Sequence, residues 1–357
     1  MELIPVNLIT GFLGSGKSTL VTEILQNPEF YHTAVIVNEF GEIGLDGVLI
    51  EHTKDQIIEM TSGCLCCTIR GDIRQTLVDL YGKYANGQIP KFNRVIVEST
   101  GLADPAPVVQ TLMSDTLLRN RYMLGGVIAT IDALHGTATI KRHKECKKQV
   151  AVADRLVITK SDLIVDGANK KILNKLQSKL SSLNPTAVVL DRHQKDFEFK
   201  RLFDTSLYDP QTKSTDVRKW LNAEGNTKNN HSHDDPRDHN GHHHHDITRH
   251  GSDIQSFTLT FDKPITIETL ASSLEALCLT QGANILRLKG IVHTVDRPEH
   301  PLVVHGVQHV FHEPVWLDDW PNKNRQTQLV FITFGITRKS LELFFKSWIS
   351  TSNGVWR

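Results

Sequence analysis

The sequence predicts an α/β protein in two parts: a parallel sheet flanked by helices, then a smaller C-terminal α+β unit. Three observations carry that expectation. A complete G-x-x-x-x-G-K-[ST] phosphate loop, Gly11-Phe12-Leu13-Gly14-Ser15-Gly16-Lys17-Ser18, follows the apolar run Leu3–Ile9 and precedes a helix-compatible stretch, Thr19 to Gln26. Strand, loop and helix in that order are the context this motif needs, and they point to a P-loop NTPase sheet. Apolar β-branched runs then alternate with helix-length stretches to about Leu202, as parallel βα units do. Past a polar segment, strand-like and helix-like runs resume at Ile254.

Taken in order, the first element is the nucleotide site. Gly11, Gly14 and Gly16 let the backbone turn tightly so that successive N–H groups face phosphate oxygens, and the following helix adds its positive dipole end. Lys17 is placed to reach the β- and γ-phosphates, and the Ser18 hydroxyl to ligate Mg²⁺. The next strand is Ala34–Val37, and Glu39 and Glu42 follow it, where a first switch segment would lie. Next comes Cys64-Leu65-Cys66-Cys67, ahead of a helix over Asp72–Tyr84. Thiolates at this spacing can converge on one soft metal ion, with Zn²⁺ the best match and Glu39 or Glu42 as carboxylate ligands. Redox-active thiols, or plain buried cysteines, are the competing readings.

The strand Arg94–Val97 leads into Glu98-Ser99-Thr100-Gly101. An acid at that position holds the magnesium shell in P-loop proteins, the alternative being a strand-end carboxylate facing water. Gly101 would let the backbone approach a γ-phosphate and move when it leaves. A helix over Ala106–Arg119 and strands at Gly126–Ile131 and Arg155–Ile158 follow, and then Thr159-Lys160-Ser161-Asp162. Placed after a strand about 140 residues beyond a phosphate loop, this N/T-K-x-D pattern reads guanine. Asp162 accepts the two N–H donors of the base edge, and adenine would leave that carboxylate unpaired. A solvated helix start capped by Ser161 or Asp162 is the plainer alternative.

Residues 222–253 are rich in Asn, Asp and His, with eight histidines between His231 and His250. Such a stretch has too little apolar surface to offset its ordering entropy and reads as a linker. His242, His243, His244 and His245 make it a weak accessory metal binder; a solvated linker without a task is the alternative. Strands at Gln255–Phe261, Asn284–Thr294, Leu302–Val307 and Gln328–Phe334 and helices at Ile267–Cys278 and Arg338–Trp348 make a mostly antiparallel C-terminal unit. The expected division is 1–205, 206–253 and 254–357.

Composition narrows the classes. The chain has 357 residues, 39% hydrophobic and 22% charged, with zero formal net charge. That balance argues against nucleic acid as a partner. No apolar run is long enough to span a bilayer, and no signal peptide is visible at the N-terminus. Five cysteines, three of them clustered, do not form a disulfide framework, so a reducing cytoplasm is the expected location.

Together, GFLGSGKS, NEFGE (Asn38–Glu42), GCLCC (Gly63–Cys67), ESTGLADP (Glu98–Pro105), TKSD and the His-rich linker resemble the CobW family of P-loop GTPases. The resemblance implies nucleotide binding by Gly14, Ser15, Gly16, Lys17, Ser18 and Thr19. It also implies transition-metal binding by Cys64, Cys66 and Cys67 with Glu42 nearby, and a C-terminal CobW-type domain. Some relatives carry a Glu just before NEFGE where this chain has Val37, so its metal site is expected to lean on sulfur. The implied activity is GTP hydrolysis coupled to delivery of a metal, zinc first and Co²⁺ or Ni²⁺ next, to a client metalloprotein. Rival readings are a cobalt-related accessory GTPase and a His-rich metal buffer. No Gln or Arg stands out for positioning water, so slow intrinsic turnover is expected. No motif encodes the client or the oligomeric state.

Overall fold

The computed structural model describes residues 3–38, 57–60, 69–164, 167–203, 254–321 and 325–352. Glu39, Glu42, Cys64, Cys66, Cys67 and the histidines from His231 to His250 lie outside the described residues.

Seven strands form the first sheet: β1 (Ile4–Gly11), β2 (Thr33–Asn38), β3 (Ile57–Met60), β4 (Arg94–Glu98), β5 (Tyr122–Asp132), β6 (Arg155–Thr159) and β7 (Val188–Asp191). Their order is β3-β2-β4-β1-β5-β6-β7, and every neighbouring pair is parallel. The connecting helices are α1 (Lys17–Gln26), α2 (Ile69–Ala85), α3 (Ala106–Ser114), α4 (Thr116–Arg119), α5 (Gly136–Arg142), α6 (Lys144–Val152) and α7 (Gly167–Leu183). Parallel strands buried on both faces need apolar residues at odd and even positions alike. Val6, Leu8, Val95 and Val97 accordingly pack with α2, α3, α6 and α7. Their neighbours Ile9, Ile96 and Val157 pack on the other face, against Leu20, Val21 and Ile24 of α1.

The second sheet comprises β8 (Ile254–Phe261), β9 (Ile285–Val292), β10 (Leu302–Val307), β11 (Val310–Phe311), β12 (Val315–Trp316) and β13 (Thr327–Phe334). It runs β11-β10-β9-β13-β8, with β12 also on β10, and all its pairs are antiparallel. Helices α8 (Ile267–Gln281) and α9 (Arg338–Ser352) cover one face through Leu270, Leu274, Leu341 and Phe345. On the other side, Leu286, Val307 and Ile332 join the first core.

One expectation needs correction, and two strands had not been expected. The single helix over Ala106–Arg119 is two helices, because Asp115 takes an extended conformation (φ −75°, ψ 121°) and its carboxylate accepts from Leu117 and Leu118 N–H to cap α4. Strands β3 and β7, the two edges of the first sheet, are four residues each, too short to show periodicity.

Candidate functional site

The phosphate loop joins β1 to α1 and is shaped by backbone that only glycine adopts readily. Gly11, Gly14 and Gly16 have φ of 141°, 70° and 86°, and Gly16 caps α1 in the left-handed region. Lys17 is buried, and its Nζ donates to the carbonyls of Gly11 (3.0 Å) and Phe12 (3.2 Å). Burial pushes this ammonium below its ordinary range, partly opposed by the Glu98 charge. A cation short of solvent at the loop mouth is matched to an anionic substrate. Thr19 follows on the first turn of α1.

Ser18 and Glu98 are brought together: the Ser18 hydroxyl donates to Glu98 Oε1 at 2.7 Å, across 80 positions in sequence. Glu98 is the last residue of β4 and 4% exposed, so the water-facing alternative does not hold. A hydroxyl and a carboxylate are hard oxygen donors that suit Mg²⁺. Gly101 lies hard against the loop, since a Cβ placed on it would stand 2.6 Å from Leu13 N.

The TKSD segment closes over the same loop. Thr159, at the end of β6, donates from Oγ1 to the Ser15 carbonyl at 2.8 Å, so the hydroxyl ties motif and loop without an Asn amide. Lys160 is left-handed (φ 58°), and its Nζ donates to the Gly14 carbonyl at 2.7 Å and to Asp132 Oδ2 at 2.8 Å. Ser161–Leu163 form a single 3-10 turn with no side-chain cap, and α7 starts only at Gly167, so the motif is not a helix cap. Asp162 faces solvent, with His193 Nε2 3.0 Å from its Oδ1.

Three residues here were missed by sequence reasoning. Asp132 ends β5 and anchors Lys160. Burial raises its carboxyl, but the Lys160 bond and the His135 and Leu134 N–H groups outweigh that and hold it low. An acid at a strand end, as at Glu98, was the available signal. Asp191 ends β7 and accepts from the Ser161 hydroxyl and, at 3.0 Å, from His193 N–H. Neither it nor His193 carries a sequence signal, because Asp191 ends and His193 follows a strand too short to detect.

Along the carboxyl edge these groups form a row. Register pairs Asn38 with Met60, Val37 with Glu98, and Ile9 with Glu98. Asn38 and Met60, the last described residues before the Glu42 and thiol segments, therefore end neighbouring strands, and β2 in turn adjoins the Glu98 strand. Open α/β sheets bind ligands at this edge. Among the described residues no group of three or more metal-ligating side chains converges. Cys146 is a buried thiol pushed up to about 12 by desolvation, an inert core group.

Comparison with known proteins agrees with this geometry. Residues 5–191 match the model of the CobW/HypB/UreG nucleotide-binding domain, and residues 254–348 that of the cobalamin synthesis protein cobW C-terminal domain. The zinc chaperone YjiA of Escherichia coli is 32% identical over 347 residues, covering 97% of this chain and 98% of that one. The zinc-regulated GTPase metalloprotein activator 1 of Schizosaccharomyces pombe is 25% identical over 87% of this chain and 77% of its own. The crystal structure of Zn(II)-bound YjiA GTPase superposes with a TM-score of 0.66 at 27% identity, over 98% of this chain and 99% of that one. With its nucleotide-binding half and its C-terminal half both matched, this chain belongs to the CobW/HypB/UreG family.

Proposed function

We propose that this protein is a GTP-hydrolysing metallochaperone that couples its nucleotide state to transfer of a transition metal, zinc foremost, to a client metalloprotein. The observation that carries this reading is the row of strands β3-β2-β4-β1. Their carboxyl ends lead, in turn, to the thiol segment, the Glu42 segment, the Glu98 acid and the phosphate loop. Cys64 and Glu42 each lie four residues past a strand end, a reach of at most about 14 Å, from strands about 5 Å apart. Chain length therefore allows Glu42 and the thiols to share one metal ion, and β4 separates β2 from β1, the strand that leads into the phosphate loop.

The chemistry is transfer of the γ-phosphoryl group of GTP to water. Loop N–H groups and Lys17 stabilise charge on the phosphate oxygens as the bond to the leaving diphosphate breaks. Ser18 and Glu98 would hold Mg²⁺, which would offset negative charge on the phosphate oxygens. Asp162 reads the guanine edge, and Lys160 is held beside it by Asp132. Cys64, Cys66, Cys67 and Glu42 hold the cargo ion, with His242–His245 as a weak collecting tract. We assign residues 1–205 to the GTPase unit, 206–253 to the linker and 254–357 to the C-terminal unit. No helix among the described residues is long and apolar enough to cross a membrane, in keeping with a cytoplasmic site of action.

The test is zinc affinity by chelator competition, with Mg²⁺ plus a non-hydrolysable GTP analogue and again with Mg²⁺ plus GDP. Coupling predicts about a tenfold difference or more, matched by an equal effect of zinc on nucleotide affinity. Equal zinc affinities in the two states would reduce the thiols to storage and remove the chaperone reading.

A further inference from the structure

Helix α6 lies between the nucleotide site and the C-terminal sheet and is held to both. At its start, His143 packs on Phe12 of the phosphate loop, ring centroids 4.4 Å apart. In its middle, Gln149 is 1% exposed, and its Nε2 donates to the carbonyls of Gly101 and Ala103, both at 3.1 Å. The adjacent Lys148 pairs with Asp104 at 2.9 Å. Two residues beyond its end, Asp154 is buried against Arg287 and Lys289 of β9, with Lys289 Nζ at 3.1 Å. Val150, Ala151 and Val152 share a core with Leu286, Val307 and Ile332 of the C-terminal sheet.

Gln149 is an unusual choice for this position. Two carbonyl acceptors take both hydrogens of its NH₂ group, and its Oε1 is buried with no hydrogen-bond partner among the described residues. An apolar residue would fill the same space without that orphan acceptor. The amide is explained by what it holds: the backbone of Gly101–Ala103, the segment that touches Leu13 in the phosphate loop and follows the acid bonded to Ser18.

We infer that Gln149 is a positioning residue for GTP hydrolysis: it fixes the Gly101–Ala103 backbone beside the phosphate loop and, through α6, couples that segment to β9 of the C-terminal domain. This rests on the reading of the site as a GTP site. When a γ-phosphate displaces Gly101, the two amide bonds pull on α6, and the buried Asp154 contacts carry the displacement into β9. The C-terminal domain thereby senses which nucleotide is bound.

The experiment uses the full-length chain and Gln149→Leu, which keeps volume but removes both donors. The variant is expected to bind Mg²⁺–GDP within about twofold of the parent, since diphosphate contacts lie elsewhere. Its kcat for GTP and its preference for a non-hydrolysable GTP analogue over GDP are expected to fall about tenfold or more. Parent-like kcat and preference would overturn the inference. A residue needed only for stability would lower the thermal midpoint and leave both unchanged. Should the variant fail to fold, amide hydrogen exchange on the parent decides. Different protection in residues 144–152 and 285–292 between the GTP analogue and GDP supports the coupling, and identical protection overturns it. Failure of the parent to prefer guanine over adenine nucleotides would remove the GTP reading and this inference with it. Guanine preference with an indifferent Gln149→Leu removes the inference alone.

Discussion

At the scale of single residues, Asp162, the carboxylate proposed to read the base, is placed by its neighbours. Asp162 faces solvent, where a carboxylate samples several rotamers, and His193 Nε2 at 3.0 Å limits that freedom. Asp191 in turn accepts from both the Ser161 hydroxyl and the His193 backbone N–H, so the turn bearing Asp162 is tied to the end of β7. A carboxylate has about four acceptor positions, and under the proposed reading guanine would use one on each oxygen, which leaves room for the histidine bond. His193→Ala is therefore expected to weaken GDP binding about three- to tenfold, the worth of one such hydrogen bond, and to leave ADP binding unchanged. Parallel titrations with the two diphosphates measure it, and equal losses for both would show that His193 acts on the loop in general.

At the scale of elements, a buried side chain closes the end of one helix. Helix α6 stops because Asn184, at the end of α7 and fully buried, donates from Nδ2 to the carbonyls of Val150, Ala151 and Ala153. Its Oδ1 accepts from Thr186 N–H and hydroxyl, so each end of the amide is used. Removing it leaves buried carbonyls without donors. Asn184→Ala is expected to cost about 2–4 kcal/mol in unfolding free energy, from cavity and unmet acceptors together, read by urea denaturation. A loss below about 1 kcal/mol would mean that water reaches those carbonyls.

For the whole molecule, the join between the two sheets depends on charge as well as on apolar packing. Asp154 also accepts from Val127 N–H at 3.0 Å. Burial works to raise its carboxyl, but Arg287 and Lys289 outweigh that and hold it ionised well below its ordinary 3.8. Its lowered folded-state pKa contributes stability that is fully present above 3.8 and is lost as pH falls below it. Denaturation midpoints are thus expected to drop below about pH 4, and Asp154→Asn to flatten that part of the profile. The same variant leaves two buried cations without their counter-charge, a loss of about 3–5 kcal/mol at neutral pH. An unchanged midpoint at pH 7 would show the cluster to be dispensable.

Much of this architecture was legible in the chain, for reasons that differ by feature. The phosphate loop, the TKSD turn and the acid at Glu98 are contiguous motifs, each set by local backbone geometry beside an apolar strand, and so they read directly from residue order. The two-part division reads from composition, because the apolar strand-like and helix-like runs break off before residues 222–253 and resume at Ile254. What the sequence leaves open is partnership across distance. That Ser18 meets Glu98, Asp162 meets His193, Gln149 holds Gly101 and Asp154 meets Arg287 depends on strand order and on how the second sheet docks. Those contacts bring together residues between 31 and 133 positions apart. Sequence periodicity reports only which face of an element is buried, so closing such distances is decided by the packed tertiary structure alone.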